Sequence, residues 1–156
     1  MLHPDWIIGI DPGAKGVIGV INASKTYTKL IDLAPMTEQD IAKAFKKLAT
    51  LTNVVAYLEK VGARPGQGRT GIFNFGKNYG FLRGQLVANE IPFFDVIPQV
   101  WQRGVSMGKS YASQDARKKA AKQQAQQWFP HMSFTQETAD GMLITEYGHR
   151  QHYSVK

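Results

Sequence analysis

The sequence predicts an α/β domain with a mixed five-stranded sheet and helices on both faces. The order of the segments is the first reason, because three apolar runs joined by turns come first and helical segments then alternate with two further runs. Composition is the second reason. With 43% hydrophobic and 20% charged residues, the chain is typical of globular proteins and unlike disordered, collagen-like or coiled-coil chains. Its 156 residues allow one domain, 1–156, with a sizeable core.

The first three strands are predicted to form an antiparallel meander. Their apolar runs are short, and Asp11-Pro12-Gly13 after the first run is a turn signal. The two later runs follow helical segments, which is typical of strands that join a sheet through crossover connections. The strands are predicted at residues 6–10, 17–21, 27–33, 53–58 and 92–97.

Caps, breakers and helical periodicity predict four helices and one helical turn. Thr37 is an N-cap before apolar residues at helical spacing, Ser113 caps a basic helix, and Pro130 ends that helix. The predicted segments are about 38–48, 72–89, 98–101, 113–128 and 135–149. Residues 62–71 are too rich in glycine for a regular element and too basic to be buried.

Positive charge is concentrated in the middle third of the chain. The formal net charge is +7, and residues 60–122 carry eleven basic and three acidic side chains. Residues 1–59 are balanced, and residues 123–156 carry two basic and three acidic side chains. Such a distribution suits a polyanion, most often nucleic acid, although a solvated surface also accounts for charge alone.

Several classes of protein are excluded or disfavoured. The chain has no cysteine, which excludes disulfide scaffolds, cysteine nucleophiles and thiolate zinc sites. The start of the sequence lacks the layout of a signal peptide, and the apolar runs are too short to cross a membrane. We therefore expect a cytoplasmic protein with no membrane partner. No nucleotide cofactor is expected, because P-loop and dinucleotide motifs are missing.

Four acidic residues lie where an isolated acid is unfavourable. Asp11 ends the first buried strand and Glu59 ends the fourth, so a parallel pairing would bring them side by side. Glu137 and Asp140 are three residues apart in the predicted first turn of the last helix and share its face. Carboxylates about 4 Å apart repel by roughly 4 kcal/mol at an effective dielectric constant of about 20. The cluster therefore requires cations or raised pKa values.

Ligation by oxygen atoms alone favours Mg²⁺ or Mn²⁺. Two such ions about 4 Å apart can activate water and stabilise the leaving oxygen in phosphodiester cleavage. Singly, each acid has an ordinary explanation as a turn residue, a salt-bridge partner or a helix-capping charge. Together with the charge pattern and the order of the elements, the four acids favour a metal site.

A set of ordered motifs resembles the RuvC family of Holliday-junction resolvases, which have an RNase H-like fold. Asp-Pro-Gly alone is a weak signal, whereas the ordered set is specific and spans about residues 6–149. The segments that carry the resemblance are Ile8 to Gly13 with Gly16, Tyr57 to Val61, Phe75 to Gly80, Gln99 to Trp101, and Glu137 to Ile144.

The resemblance implies an RNase H-like sheet and an endonuclease that nicks four-way and other branched DNA with two Mg²⁺ ions, for which Mn²⁺ substitutes. It assigns metal ligation and catalysis to Asp11, Glu59 and Asp140. Glu137 stands where the family usually has aspartate or histidine, and we take it as the fourth ligand. Gly141 stands where alanine is usual, which is expected to weaken the helix without affecting the chemistry. The alternative function is non-catalytic binding of branched DNA.

Polar and basic residues of the middle third are predicted to contact the DNA backbone. They are Arg64, Gln67, Arg69, Lys77, Lys109, Arg117, Lys118 and Lys122. Phe73 and Trp101 are expected either to stack on exposed bases or to lie in the core. The loop 64–68 and the asparagine-containing helix after it most resemble the phage-encoded branch of the family.

A homodimer is the expected assembly. A four-way junction has two-fold symmetry, and two nicks from chains with one site each are met most simply by a C₂ dimer. We define the small-residue stripe as Gly76, Gly80, Gly84 and Ala88, which recur every four residues and permit close helix approach. The resemblance also implies dimerisation near this helix. Packing of the stripe on the chain's own sheet is the alternative.

Overall fold

The computed structural model describes residues 3–13, 16–63 and 65–154. Within these ranges the strands are β1 (Trp6–Asp11), β2 (Val17–Asn22), β3 (Thr28–Asp32), β4 (Val54–Glu59) and β5 (Phe93–Val96). The helices are α1 (Glu38–Leu48), α2 (Arg69–Ala88), α3 (Pro98–Gly104), α4 (Gln114–Trp128) and α5 (Ala139–Tyr153). Each predicted strand and helix is present, and the predicted turn at 98–101 is a short helix. None of these helices is long and apolar enough to cross a membrane.

The five strands form one mixed sheet in the order β3-β2-β1-β4-β5. β1 and β3 both pair antiparallel with β2, which confirms the predicted meander. β4 lies parallel to β1, and β5 lies parallel to β4. Ile10 of β1 pairs with Leu58 of β4. The next residue of each strand, Asp11 and Glu59, therefore reaches the same edge of the sheet.

Helices cover both faces of the sheet, as predicted. α1 and α2 pack over one face, where Phe45 and Leu82 are buried against Ile8. α3, α4 and α5 cover the other face, where Trp101 belongs to the same cluster as Ile7. Because successive strand residues point to opposite faces, neighbouring isoleucines of β1 supply the two cores.

α5 lies directly on β1 and β2 because glycines remove the side chains that would separate them. A Cβ atom at Gly9 would lie 2.3 Å from the backbone nitrogen of Thr145. A Cβ atom at Gly141 would lie 2.6 Å from Cγ1 of Val17. Gly141 therefore also serves the packing of α5 on β2, because an alanine there would force Val17 or α5 to shift.

α5 begins at Ala139 rather than at Thr135. A side-chain turn precedes the helix: the Thr138 N–H donates to Oγ1 of Thr135 at 3.2 Å, and the Thr135 N–H donates to Oγ1 of Thr138 at 3.0 Å. Such local bonds compete with helical hydrogen bonding. Glu137 lies in this turn, whereas Asp140 lies in α5. The prediction that the two acids share the first helical turn is wrong.

α2 buries little of its surface, and its buried residues are Leu82 and Leu86. Leaving aside the chain neighbours and the backbone of α2 itself, no heavy atom of the described residues lies within 4 Å of a Cβ atom built at Gly76, Gly80 or Gly84. The glycines of the small-residue stripe therefore face outward. The alternative that the stripe packs on the chain's own sheet is wrong.

Candidate active site

Asp11 is the last residue of β1, and the turn after it is fixed from two sides. The Gly13 N–H donates to Oδ1 of Asp11 at 3.0 Å. The side-chain amide of Asn78, on α2, donates to the carbonyl oxygen of Pro12 and, at 3.0 Å, to that of Gly13. Burial raises the pKa of Asp11 to about 6, and the negative charge of Asp140 adds to the rise.

Glu59 lies beside Asp11 and is held by a buried tryptophan. The indole Nε1–H of Trp101 donates to Oε1 of Glu59 at 2.9 Å, and Trp101 is fully buried. Burial raises the pKa of Glu59 to about 8, and repulsion from Asp11 contributes further. A side-chain hydrogen bond joins Glu59 to Asp11. Both carboxyl groups therefore hold a proton more readily than an exposed acid does, as expected for close carboxylates without a cation between them.

Asp140 is the third acid of the site, and it has an internal counter-charge. Nη1 of Arg117 donates to Oδ1 of Asp140 at 3.0 Å, and Nη2 donates to Oδ2 at 2.7 Å. The Asp140 and Arg117 side chains are only 14% and 9% exposed. Burial alone would lower the pKa of Arg117, but the bonds to Asp140 outweigh it and raise that pKa above its usual value. Arg117 thus lies inside the acidic site, whereas the sequence grouped it with surface cations.

Glu137 lies apart from the other three acids. Its side chain is 60% exposed, and it accepts a hydrogen bond from Nζ of Lys118 at 2.9 Å. It nevertheless lines the same cleft as Asp11, Glu59 and Asp140, which has a volume of about 720 Å³. The structure therefore brings all four predicted acids to one cleft, three of them near its floor and Glu137 at its rim.

The donor chemistry of the cleft fits a hard divalent cation. Asp11 and Glu59 offer carboxylate oxygens side by side, and burial raises the pKa of both, with repulsion from a neighbouring acid adding to the rise. Added positive charge between them would relieve that repulsion. Among the described residues, however, no three acidic or histidine side chains are already arranged around one point as a metal cage. Both oxygens of Asp140 are directed at Arg117 instead.

The predicted DNA-contacting residues fall into three groups. Arg64 lies outside the described residues. Gln67, Arg117 and Lys118 line the cleft. The others are exposed away from it: Arg69 and Lys77 on α2, Lys109 in the loop before α4, and Lys122 on α4.

Three contributors to the site were missed from the sequence. Lys60 lines the cleft directly after Glu59, and its position next to a motif acid was the available signal. Asn78 fixes the turn after Asp11, and Trp101 fixes Glu59. Trp101 lies in the core, as one of its two interpretations held, but its bond to an acid 42 residues away has no local sequence signal.

Comparison with known proteins identifies the fold. No family model and no curated protein matches the chain by sequence. Among solved structures, T. thermophilus RuvC in complex with a Holliday junction substrate matches with a TM-score of 0.64 and 11% identity, covering 94% of both chains. A second Thermus thermophilus RuvC structure matches with a TM-score of 0.58 and 11% identity, covering 94% of this chain and 95% of that one. The predicted RNase H-like, RuvC-type fold is confirmed.

Proposed function

We propose that the chain is a divalent-metal-dependent endonuclease that nicks four-way (Holliday) junctions and other branched DNA. The carrying observation is the convergence of Asp11, Glu59 and Asp140 in one cleft of a RuvC-type fold. A solved structure of that fold was obtained with a Holliday junction substrate, which supports branched DNA as the substrate class.

Asp11 and Glu59 would hold a divalent ion between them. Asp140 and Glu137 would complete the ligand set for two ions, with Mg²⁺ as the usual cation and Mn²⁺ as a substitute. The bound ions would supply Lewis acidity, which activates water and offsets the negative charge on the departing 3′ oxygen. Any proton held by Asp11 or Glu59 would be released when the cation binds, because ligating carboxylates are ionised.

The chain's own part in the reaction is to hold these acids in place. Trp101 fixes one oxygen of Glu59, and Asn78 fixes the turn that follows Asp11. α5 presents Asp140 from a helix pressed onto the sheet. Positions built on strands, a packed helix and a buried indole are more rigid than loop positions, as metal ligands require.

Backbone phosphates would be bound by the basic residues around the cleft. Lys60 and Lys118 line it, and residues 60–122 carry most of the chain's positive charge. Binding through phosphates weakens steeply with salt and is insensitive to base sequence. Phe73, on α2, is 71% exposed and is the aromatic side chain that would stack on an unpaired base.

The outward glycines of the small-residue stripe support a homodimer formed through α2. The change Gly80→Leu should yield a folded monomer that no longer makes paired nicks. Gly71→Leu, on the same helix and equally open, is the matched control. Sedimentation and circular dichroism measure both variants, and a wild-type chain that stays monomeric at tens of micromolar would remove this part of the proposal.

The proposed activity is tested with a synthetic four-way junction and a linear duplex of the same sequence. With Mg²⁺ or Mn²⁺, we expect nicks in the junction and little cleavage of the duplex, and EDTA should stop the reaction. A parallel preparation carrying Asp11→Asn controls for a contaminating nuclease. Selective junction binding without cleavage in either ion would instead establish the non-catalytic alternative, which the pairing of Asp140 with Arg117 favours.

Two finer assignments stay predictions. Assignment to the phage-encoded branch depends on loop 64–68 and on the asparagines of α2. The cytoplasmic location depends on the features of the sequence alone.

A further inference from the structure

Arg117 has an unusual place for a cation of a basic, DNA-binding surface. It projects from α4 into the acidic cleft, where 7% of the residue remains exposed. Its two terminal nitrogens bind both oxygens of Asp140. The charges of Glu59 and Asp11 also act on it. It is therefore a positive charge held close to all three acids at the floor of the cleft.

This arrangement occupies both carboxylate oxygens of Asp140. The described residues contain no group of three acids arranged around one point, although Asp11, Glu59 and Asp140 line the same cleft. The contact is also incomplete from the side of Arg117. Its Nε–H is buried and has no hydrogen-bond partner among the described residues. A guanidinium in its final position usually satisfies its buried donors.

We propose that Arg117 is an internal counter-cation that competes with a divalent ion for Asp140. In the ion-free protein the guanidinium neutralises Asp140, and it must give up at least one of its two bonds before that carboxylate turns to ligate an ion. Arg117 is then a positioning residue that sets the affinity of the site for its cation. The inference depends on the proposed function for the identity of that cation.

The opposite role is orientation, in which a second-sphere donor holds a carboxylate ready for the metal. Orientation requires one oxygen to be fixed while the other is left for the ion. Here both oxygens are bound by the same guanidinium in a two-bond contact. Removing Arg117 should therefore strengthen ion binding under competition and weaken it under orientation.

The experiment is calorimetric titration of the ion-free protein with MnCl₂ in the absence of DNA. Arg117→Met removes the charge and both hydrogen bonds but keeps much of the side-chain volume. The matched control is Lys119→Met, which removes the same charge from the outer side of α4, where Lys119 pairs with Asp115. We expect Mn²⁺ to bind the Arg117 variant about tenfold more tightly than the wild type, and the Lys119 variant within about twofold of it.

A second pair of variants assigns the effect to Asp140. In a chain that already carries Asp140→Asn, adding Arg117→Met should leave the Mn²⁺ affinity unchanged, because there is no carboxylate to compete for. If the methionine variant does not fold by circular dichroism, Arg117→Lys decides, with an expected gain of about threefold from the loss of the two-bond contact.

Equal or weaker Mn²⁺ binding in the folded Arg117 variant would overturn the inference, as would a gain that persists without Asp140. Absence of Mn²⁺ binding in every variant would overturn both the inference and the proposed metal dependence. Binding that behaves as expected in a protein that cuts no junction would leave the inference standing and remove the proposed function.

Discussion

The acids on the floor of the cleft balance their charge in two different ways. Asp11 and Glu59 lie at adjacent strand ends, and the pKa of each is raised. Asp140 lies on α5 and is neutralised by the buried guanidinium of Arg117. Among the described residues no cation forms a salt bridge with Asp11 or Glu59, so we call them the uncompensated pair and Asp140 with Arg117 the compensated pair. The contrast leads us to propose the strand ends as the place where an external cation binds.

The largest expected effect comes from removing a charge at the uncompensated pair. Asp11→Asn should lower the rate of junction nicking by at least about 10³-fold, because the amide cannot supply the charge that holds the ion. Junction binding should be retained or tightened, since a negative charge near the phosphates is lost. Nicking assays and electrophoretic mobility shifts measure the two effects.

Asp32→Asn is the control for that change. Asp32 also ends a strand of the sheet, but it is exposed and lies outside the cleft. Its amide variant should nick within about twofold of the wild type. Near-full activity of the Asp11 variant in Mg²⁺ would show that the strand-end pair is not the metal site.

The next effect concerns the compensated pair. Arg117→Met should lower the free energy of unfolding in EDTA by about 3 kcal/mol, because it leaves the nearly buried Asp140 without its partner. Mn²⁺ should restore much of this loss, because it replaces the missing charge. Urea denaturation measures both values. Lys119→Met should leave the free energy of unfolding nearly unchanged, and an equal loss in the two variants would contradict the contrast.

Stability without metal should fall as the pH rises. Folding raises the pKa of Asp11 from 3.8 to about 6 and that of Glu59 from 4.5 to about 8. At these two groups the folded chain binds protons more tightly than the unfolded chain, so the stability that they contribute is present at low pH and is lost as the pH rises through this interval. In EDTA we expect Tm to fall by about 5 °C from pH 5 to pH 8.5.

Glu59→Gln should remove most of the fall in Tm at the high end of this pH range. Mn²⁺ should remove the fall in the wild type. Differential scanning fluorimetry measures Tm across the pH range for both proteins. A wild-type Tm that rises with pH in EDTA, or a decline unchanged by Glu59→Gln, would show that the strand-end pair is not strained.

The smallest effect tests how Glu59 is held. Trp101→Phe keeps an aromatic ring in the core but loses the donor to Glu59, and it should lower the free energy of unfolding by about 1 kcal/mol. Mn²⁺ binding should weaken a few-fold because the ligand is less well oriented. Trp128→Phe is the matched control, because it replaces an indole that packs under Arg150. It measures the effect of losing an indole other than the one that binds Glu59. Equal Mn²⁺ affinity in both variants would argue against a role for the indole.

The sheet and its acidic edge were predictable because their signals are local. Thr37 caps the N-terminus of α1 and forms a capping box, and its position predicts the start of that helix. The apolar runs that end at Asp11 and Glu59 predict two strands, and parallel pairing of these strands brings both acids to one edge of the sheet. The pairing Ile10–Leu58 confirms that register.

The missed parts depend on contacts between distant segments. Helical periodicity shows a basic α4 but not that Arg117, 23 residues before Asp140, turns inward to meet it. The start of α5 was misplaced because threonine side chains hold a turn where the sequence also permits a helix. Gly141 carried no sign in the sequence that Val17 lies against it.

The most direct test of a cation at the strand ends is a crystal structure of the protein grown with MnCl₂, using manganese anomalous scattering. We expect an anomalous peak within ligating distance of the carboxylate oxygens of Asp11 and Glu59, and no such peak in crystals of the Asp11→Asn variant. Crystals grown with MnCl₂ that show no anomalous peak in the cleft would contradict the account. A peak that Asp11→Asn leaves unchanged would contradict it as well.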